Sequence, residues 1–120
     1  MQPIYVQNNR YKETSIMAEA VGILEVYGLA CAFMAADAGC KAGNVRLESL
    51  DKNKPGNADE LEVPLLVTIK FRGNVTDVEA AIEAAIDKAT QISGVVQSHV
   101  IPNPTKDTEK MLKLNAFDRN

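Results

Sequence analysis

The chain has 120 residues, 46% hydrophobic and 24% charged, with a formal net charge of −3 and a pI near 5.1. That length bounds one domain with a single core. The acidic balance gives no basis for nucleic-acid or anionic-membrane partners, and no apolar run approaches the ~20 residues of a membrane span.

Residues 1–18 read as a polar N-terminal extension with one strand-like patch, Ile4-Tyr5-Val6, which could be a disordered arm or an added strand. The beginning lacks a basic segment followed by an apolar one, so secretion is not expected and the setting reads as cytoplasmic. An apolar, β-branched run over about Glu19–Tyr27, ending at Gly28, predicts a largely buried first strand. Apolar residues then return at helical spacing as Leu29, Phe33, Ala36 and Cys40, and Gly43-Asn44 supplies the end of a helix over about Leu29–Ala42. That helix is mostly Ala, Gly, Cys and Met, which predicts close packing on both of its sides. Cys31 and Cys40, nine residues apart, fall on opposite helix faces at ~100° per residue. They cannot share a metal within the helix and are expected to be small apolar fillers in a reducing compartment.

From Val45, alternation of Val45, Leu47 and Ser49 against Arg46, Glu48 and Leu50 predicts a second strand with one covered face. The segment Asp51–Pro64 is charged, carries Pro55-Gly56 and is too long for a hairpin turn. A third strand spans Leu65–Phe71 and stops at Arg72-Gly73. Thr76 and Glu79 stand at capping-box spacing before an apolar stripe of Val78, Ile82, Ala85, Ile86 and Ala89, closed by Gly94. A fourth strand, Val95–Ile101, runs into Pro102-Asn103-Pro104. A last short helix from about Thr105 presents Met111, Leu112 and Leu114, with Phe117 as a final anchor.

The order βαββαβ plus a C-terminal helix predicts an α+β, ferredoxin-like split βαβ fold: an antiparallel sheet with helices on one face. The division expected is an extension over 1–18, a domain over 19–104, and a helix and tail over 105–120.

Catalytic machinery is not legible. His99, the sole histidine, lacks neighbouring ligands in the sequence and reads as structural. Thr14, Ser15, Ser49 and Ser98 have no adjacent base, and Glu25 and Asp37 suit capping or interface roles as well as acid catalysis. The glycines form no phosphate-binding motif. Lys41, late on the small-residue helix, is either a solvated lysine favoured by the helix dipole or a subunit edge whose stem lies against a neighbour.

Together, Gly28-Leu29-Ala30, Ala35–Val45, Arg72–Val75 and Ser98–Pro102 resemble the bacterial microcompartment (BMC) shell-protein domain in unpermuted order, from Glu19 to Pro104. The resemblance implies the BMC fold and a homohexameric tile that packs with other shell proteins around enclosed enzymes, with no enzymatic activity of its own. Each contact in such a ring is heterologous and closes on itself. Lys41 matches the family's lysine at the hexamer–hexamer edge, and Asn103 stands where the family places an edge arginine. Lys52 aligns with the lysine that opens the family's short pore turn, but the segment from Asn53 to Leu65 is longer by about nine residues. The expected pore lining is therefore Lys52, Asn53, Lys54, Pro55, Gly56, Asn57, Asp59 and Glu60, around a pore that is wide, covered or mobile. Divergent shell proteins associated with glycyl-radical enzymes are similar in having altered pore loops, some holding an iron–sulfur cluster through pore cysteines. This loop has no cysteine, so no cluster, metal or other cofactor is expected. The competing reading is a PII-like trimeric nucleotide-binding regulator, which also carries a long loop between strands two and three, with Arg72-Gly73 as its one phosphate candidate.

Overall fold

The computed structural model describes residues 19–114. The elements are β1 (Ala20–Tyr27), α1 (Leu29–Ala42), β2 (Arg46–Asn53), a 3₁₀ turn (Ala58–Glu60), β3 (Leu66–Gly73), α2 (Val75–Ile92), β4 (Val95–Ile101) and α3 (Lys106–Leu112). The sheet order is β2-β3-β1-β4, every neighbouring pair antiparallel. This is the ferredoxin-like order that the sequence predicts. Ile4-Tyr5-Val6 and Phe117 lie outside the described residues.

The core lies between the sheet and the α1–α2 layer. Leu24 and Val26 of β1 stand opposite Ile69 and Val67 of β3, all buried with Phe71 beneath the two helices. Gly28 turns the chain from β1 into α1 with φ 90°, a left-handed conformation open to glycine at little cost. Its N–H donates to the Leu65 carbonyl at 2.8 Å. Gly39 meets the sheet on the inner face of α1: a Cβ there would lie 2.5 Å from Phe71 Cζ and 3.0 Å from the Ala81 carbonyl.

The sequence had α1 presenting Leu29, Phe33, Ala36 and Cys40, yet its buried residues are Cys31, Ala32, Ala35, Ala36 and Gly39. Leu29, Phe33, Met34 and Cys40 are exposed. The cause is spacing. With α2 and Phe71 this close, the inner face admits only small side chains, and the large apolar ones turn outward. Cys31 is a buried filler, its Sγ 3.9 Å from the Ala89 carbonyl oxygen. Cys40 is not a filler, because the helix carries it to the solvent side.

At the start of α2 the cap is Asn74 rather than Thr76: Asn74 Oδ1 accepts from the Asp77 N–H at 2.8 Å, and Asp77 Oδ1 accepts from the Asn44 N–H at 3.1 Å. An Asn side chain already satisfies the first free amides two residues before the expected box. The buried stripe is Val78, Ala81, Ile82, Ala85 and Ala89, with Ile86 partly buried. Gly94, at φ 114°, returns its N–H to the Ala89 carbonyl at 2.8 Å and so ends the helix.

Two departures concern β2. It continues through Asp51, Lys52 and Asn53, which pair with Thr68, Val67 and Leu66; the sequence had assigned all three to the loop. A register shift between Leu47 and Ser49 also leaves Glu48 as an extra, bulged residue. The expected alternation therefore breaks, and Leu47 and Leu50 face the same side, opposite Phe71 and Ile69. Finally, α3 does not join α1 and α2. It attaches to the other face of the sheet through Lys70 and Arg72, which alternate along β3 with the core residues Val67, Ile69 and Phe71.

Candidate functional site

The segment between β2 and β3 is a folded excursion. Pro55-Gly56-Asn57 forms its tip, where the Ala58 N–H donates to the Pro55 carbonyl at 3.1 Å. The 3₁₀ turn is closed by Glu60 N–H to the Asn57 carbonyl at 2.9 Å and Leu61 N–H to the Ala58 carbonyl at 3.2 Å. Ala58 is buried, which seats the turn. The returning strand is pinned at Leu65 by Gly28, and Val63 Cγ1 stands 3.3 Å from where a Gly28 Cβ would sit. The excursion thus leans on the β1–α1 corner.

Of the expected pore residues, Lys52 and Asn53 are the last residues of β2. Lys54, Gly56, Asn57, Asp59 and Glu60 are exposed and Pro55 is half-buried. The fold gathers all eight into the β2 end and the tip of one excursion. Residues 52–62 carry Lys52 and Lys54 against Asp59, Glu60 and Glu62, so both signs are presented together. Behind the tip lies an open cleft of about 220 Å³ lined by Tyr27, Glu60, Leu61, Glu62, Val63 and Ser93. Ser93 Oγ donates to the Tyr27 carbonyl on one wall.

The two expected edge residues lie on separate elements. Lys41, in the last turn of α1, is largely exposed and pairs with Asp37 at 2.7 Å, one turn earlier. The hydrogen bond to Asp37, and then its charge, hold the Lys41 ammonium above the usual lysine range. Asn103 is exposed in the bend after β4, beside the buried Pro104. Partial burial, and then the Asp37 charge, push the Cys40 thiol up. It is therefore a protonated, sluggish thiol at neutral pH. His99 is exposed on β4, its Nε2 3.3 Å from Gln97 Oε1, while Gln97 Nε2 donates to Glu25 Oε1 at 3.1 Å. Among the described residues, no three His, Cys, Asp or Glu side chains stand close enough to hold a metal ion.

A feature that sequence reasoning missed lies on the opposite face of the sheet. Arg72 is 2% exposed and pairs with Glu109 of α3, with Glu48 at 3.5 Å and Glu19 at 3.7 Å. Lys70, also buried, pairs with Asp51 at 2.7 Å and donates to the Leu112 carbonyl at 2.7 Å. The signal was available: Lys70 and Arg72 share one face of a strand flanked on both sides by others, where a cation is covered and needs partners. Enclosed by three carboxylates, Arg72 is not free to receive a phosphate.

Residues 20–104, spanning β1 through the bend after β4, match the BMC domain. The chain belongs to the BMC-domain family. It is 40% identical over 94 residues to the bacterial microcompartment shell protein PduA of Citrobacter freundii, covering 78% of this chain and 91% of that one. It is 33% identical over 100 residues to the carboxysome shell protein CcmK2 of Thermosynechococcus vestitus, covering 82% of this chain and 89% of that one. Among solved structures, a microcompartment protein from Desulfitobacterium hafniense superposes with a TM-score of 0.59 at 26% identity. That match covers 73% of this BMC chain but only 43% of the longer chain it resembles. None of the described helices is long and apolar enough to cross a membrane.

Proposed function

We propose that this BMC-domain chain is a non-enzymatic shell tile. It forms a homohexamer that packs with other shell proteins around enclosed enzymes in the bacterial cytoplasm, and its central pore governs the passage of small metabolites. The observation that carries this reading is the family match over 20–104, joined to relatives named as shell proteins. The surface supports it. Leu29, Phe33 and Met34 project from α1 on the side away from the core, with Phe33 59% exposed and Met34 51% exposed, and outward apolar side chains of this size suit burial against a neighbouring subunit.

In such a ring the excursion from Lys52 to Glu60 would meet its copies at the sixfold axis. Selectivity would come from the opening's diameter, its backbone donors and the mixed ring of Lys52, Lys54, Asp59 and Glu60. Like charges from neighbouring copies repel, but the same excursion also carries Asp59, Glu60 and Glu62, whose opposite charge would lessen the cost of convergence. Lys41 and Asn103 would lie at the tile's outer edge. The trimeric-regulator alternative loses its phosphate candidate, because Arg72 is buried among carboxylates. Native mass spectrometry tests the reading. A six-subunit species at micromolar concentration is the expected result, and a stable trimer or monomer would contradict it.

A further inference from the structure

We propose that α3 is a charge-held latch on the open face of the sheet, able to lift while the BMC domain beneath stays folded. The reasoning begins with length. Seven residues, Lys106–Leu112, are too few for a helix to persist alone in water, so its helicity depends on what it touches. Yet, among the described residues, no Cα of α3 lies within 8 Å of a Cα in a strand or another helix, so there it is held through side chains. Among the described residues, three attachments do this. Glu109 pairs with Arg72, the Leu112 carbonyl accepts from Lys70 at 2.7 Å, and the Leu112 side chain is buried while Met111 and Leu114 face solvent.

The layer beneath the latch is incompletely satisfied. Buried side-chain atoms there without a hydrogen-bond partner among the described residues include Arg72 Nε and Nη1, Glu19 Oε1, Glu48 Oε2 and Asp51 Oδ1. Closing α3 over them keeps charge from water without full compensation, and that opposes the attraction of Glu109 for Arg72. The closed state is thus favoured by a small difference between opposed terms. Upstream, Pro102 and Pro104 stiffen the connection to β4, and Thr105 caps the helix by accepting from the Thr108 N–H at 3.2 Å. The helix therefore moves as one piece, and lifting it uncovers the cations Lys70 and Arg72. The inference does not depend on the hexamer, since every contact it uses lies within one chain.

Hydrogen exchange followed by mass spectrometry on the full chain tests it. In the unmodified protein, amides of 106–112 should exchange through a local opening, faster than those of β1 and β3; equal protection in all three would overturn the proposal. In Glu109→Gln, exchange over 106–112 should rise at least about tenfold, the scale of a lost charge-assisted hydrogen bond, with β1 and β3 unchanged. Lys110→Gln, on the exposed side of the same helix, should leave all three regions as they were. No rise over 106–112 in Glu109→Gln, or an equal rise in β1 and β3, would show that α3 is not a separable latch.

Discussion

Replacing Gly39 with alanine sets two effects of opposite sign against each other. In an exposed helix the change would stabilise by up to about 1 kcal/mol, because glycine is the poorer helix former. Here the added Cβ would lie 2.5 Å from Phe71 Cζ, 2.7 Å from Phe71 Cε1 and 3.0 Å from the Ala81 carbonyl oxygen. Phe71 is fully buried and cannot swing into solvent, and the Ala81 carbonyl belongs to the backbone of α2. Overpacking of this kind costs roughly 1–3 kcal/mol, so the net expectation is a loss of about 1 kcal/mol, and a fall in Tm of roughly 2–6 °C for a chain this size. Thermal unfolding followed by circular dichroism measures it. Gly56→Ala, where a Cβ would meet nothing within 4 Å, is the matched control and should leave Tm nearly unchanged. A Tm for Gly39→Ala at or above that of the parent would refute the close α1–sheet approach on which the reading of the small-residue helix rests.

The outward face of α1 gives the complementary test. Phe33→Ala should leave monomer folding intact while weakening assembly by about 2 kcal/mol per interface, from the apolar area a phenylalanine covers; dilution-dependent mass photometry reads it, and an unchanged dissociation curve would count against that face as a subunit contact. The raised thiol of Cys40 means that iodoacetamide should label it slowly near neutral pH and much faster above pH 9.0. Asp37→Asn should speed the reaction by removing a charge that disfavours the thiolate, and labelling of Cys40 at the rate of an unperturbed thiol in the parent would contradict the shift. Because folding favours the protonated thiol, any stability it adds is present at neutral pH and is lost as pH rises through and above 9.0. Asn74→Ala should lower stability by about 1 kcal/mol through loss of the α2 cap, where Thr76→Ala should do little; urea unfolding distinguishes them, and the reverse order would restore the box at Thr76.

Much of the fold was legible because its signals are local. The β-branched run before Gly28, the 3–4 repeat from Val78 to Ala89 and the glycines at 28 and 94 each act within a few residues. What failed was decided by tertiary contacts. Which face of α1 turns inward depends on how closely α2 and Phe71 approach, and apolar periodicity alone favours the larger Leu29–Phe33 side. The end of β2 was misplaced because Asp51, a poor strand residue by composition, gains Lys70 as a buried partner. The bulge at Glu48 shifts the alternation by one, and no turn residue marks it. The position of α3 depends on Lys70 and Arg72, separated from Glu109 by more than thirty residues of sequence. For the site, the excursion was legible from its charge and Pro55-Gly56, although Lys52 and Asn53 belong to β2. The seating of its 3₁₀ turn on Ala58 was not, since a lone alanine between polar residues carries no signal of burial.

Electron cryomicroscopy of the assembled protein addresses the tile reading most directly, by locating the tip at Pro55-Gly56 relative to the symmetry axis. A sixfold ring with the tips of all copies around its centre is the predicted result. A closed ring with those tips on its outer perimeter, or particles without sixfold symmetry, would contradict it.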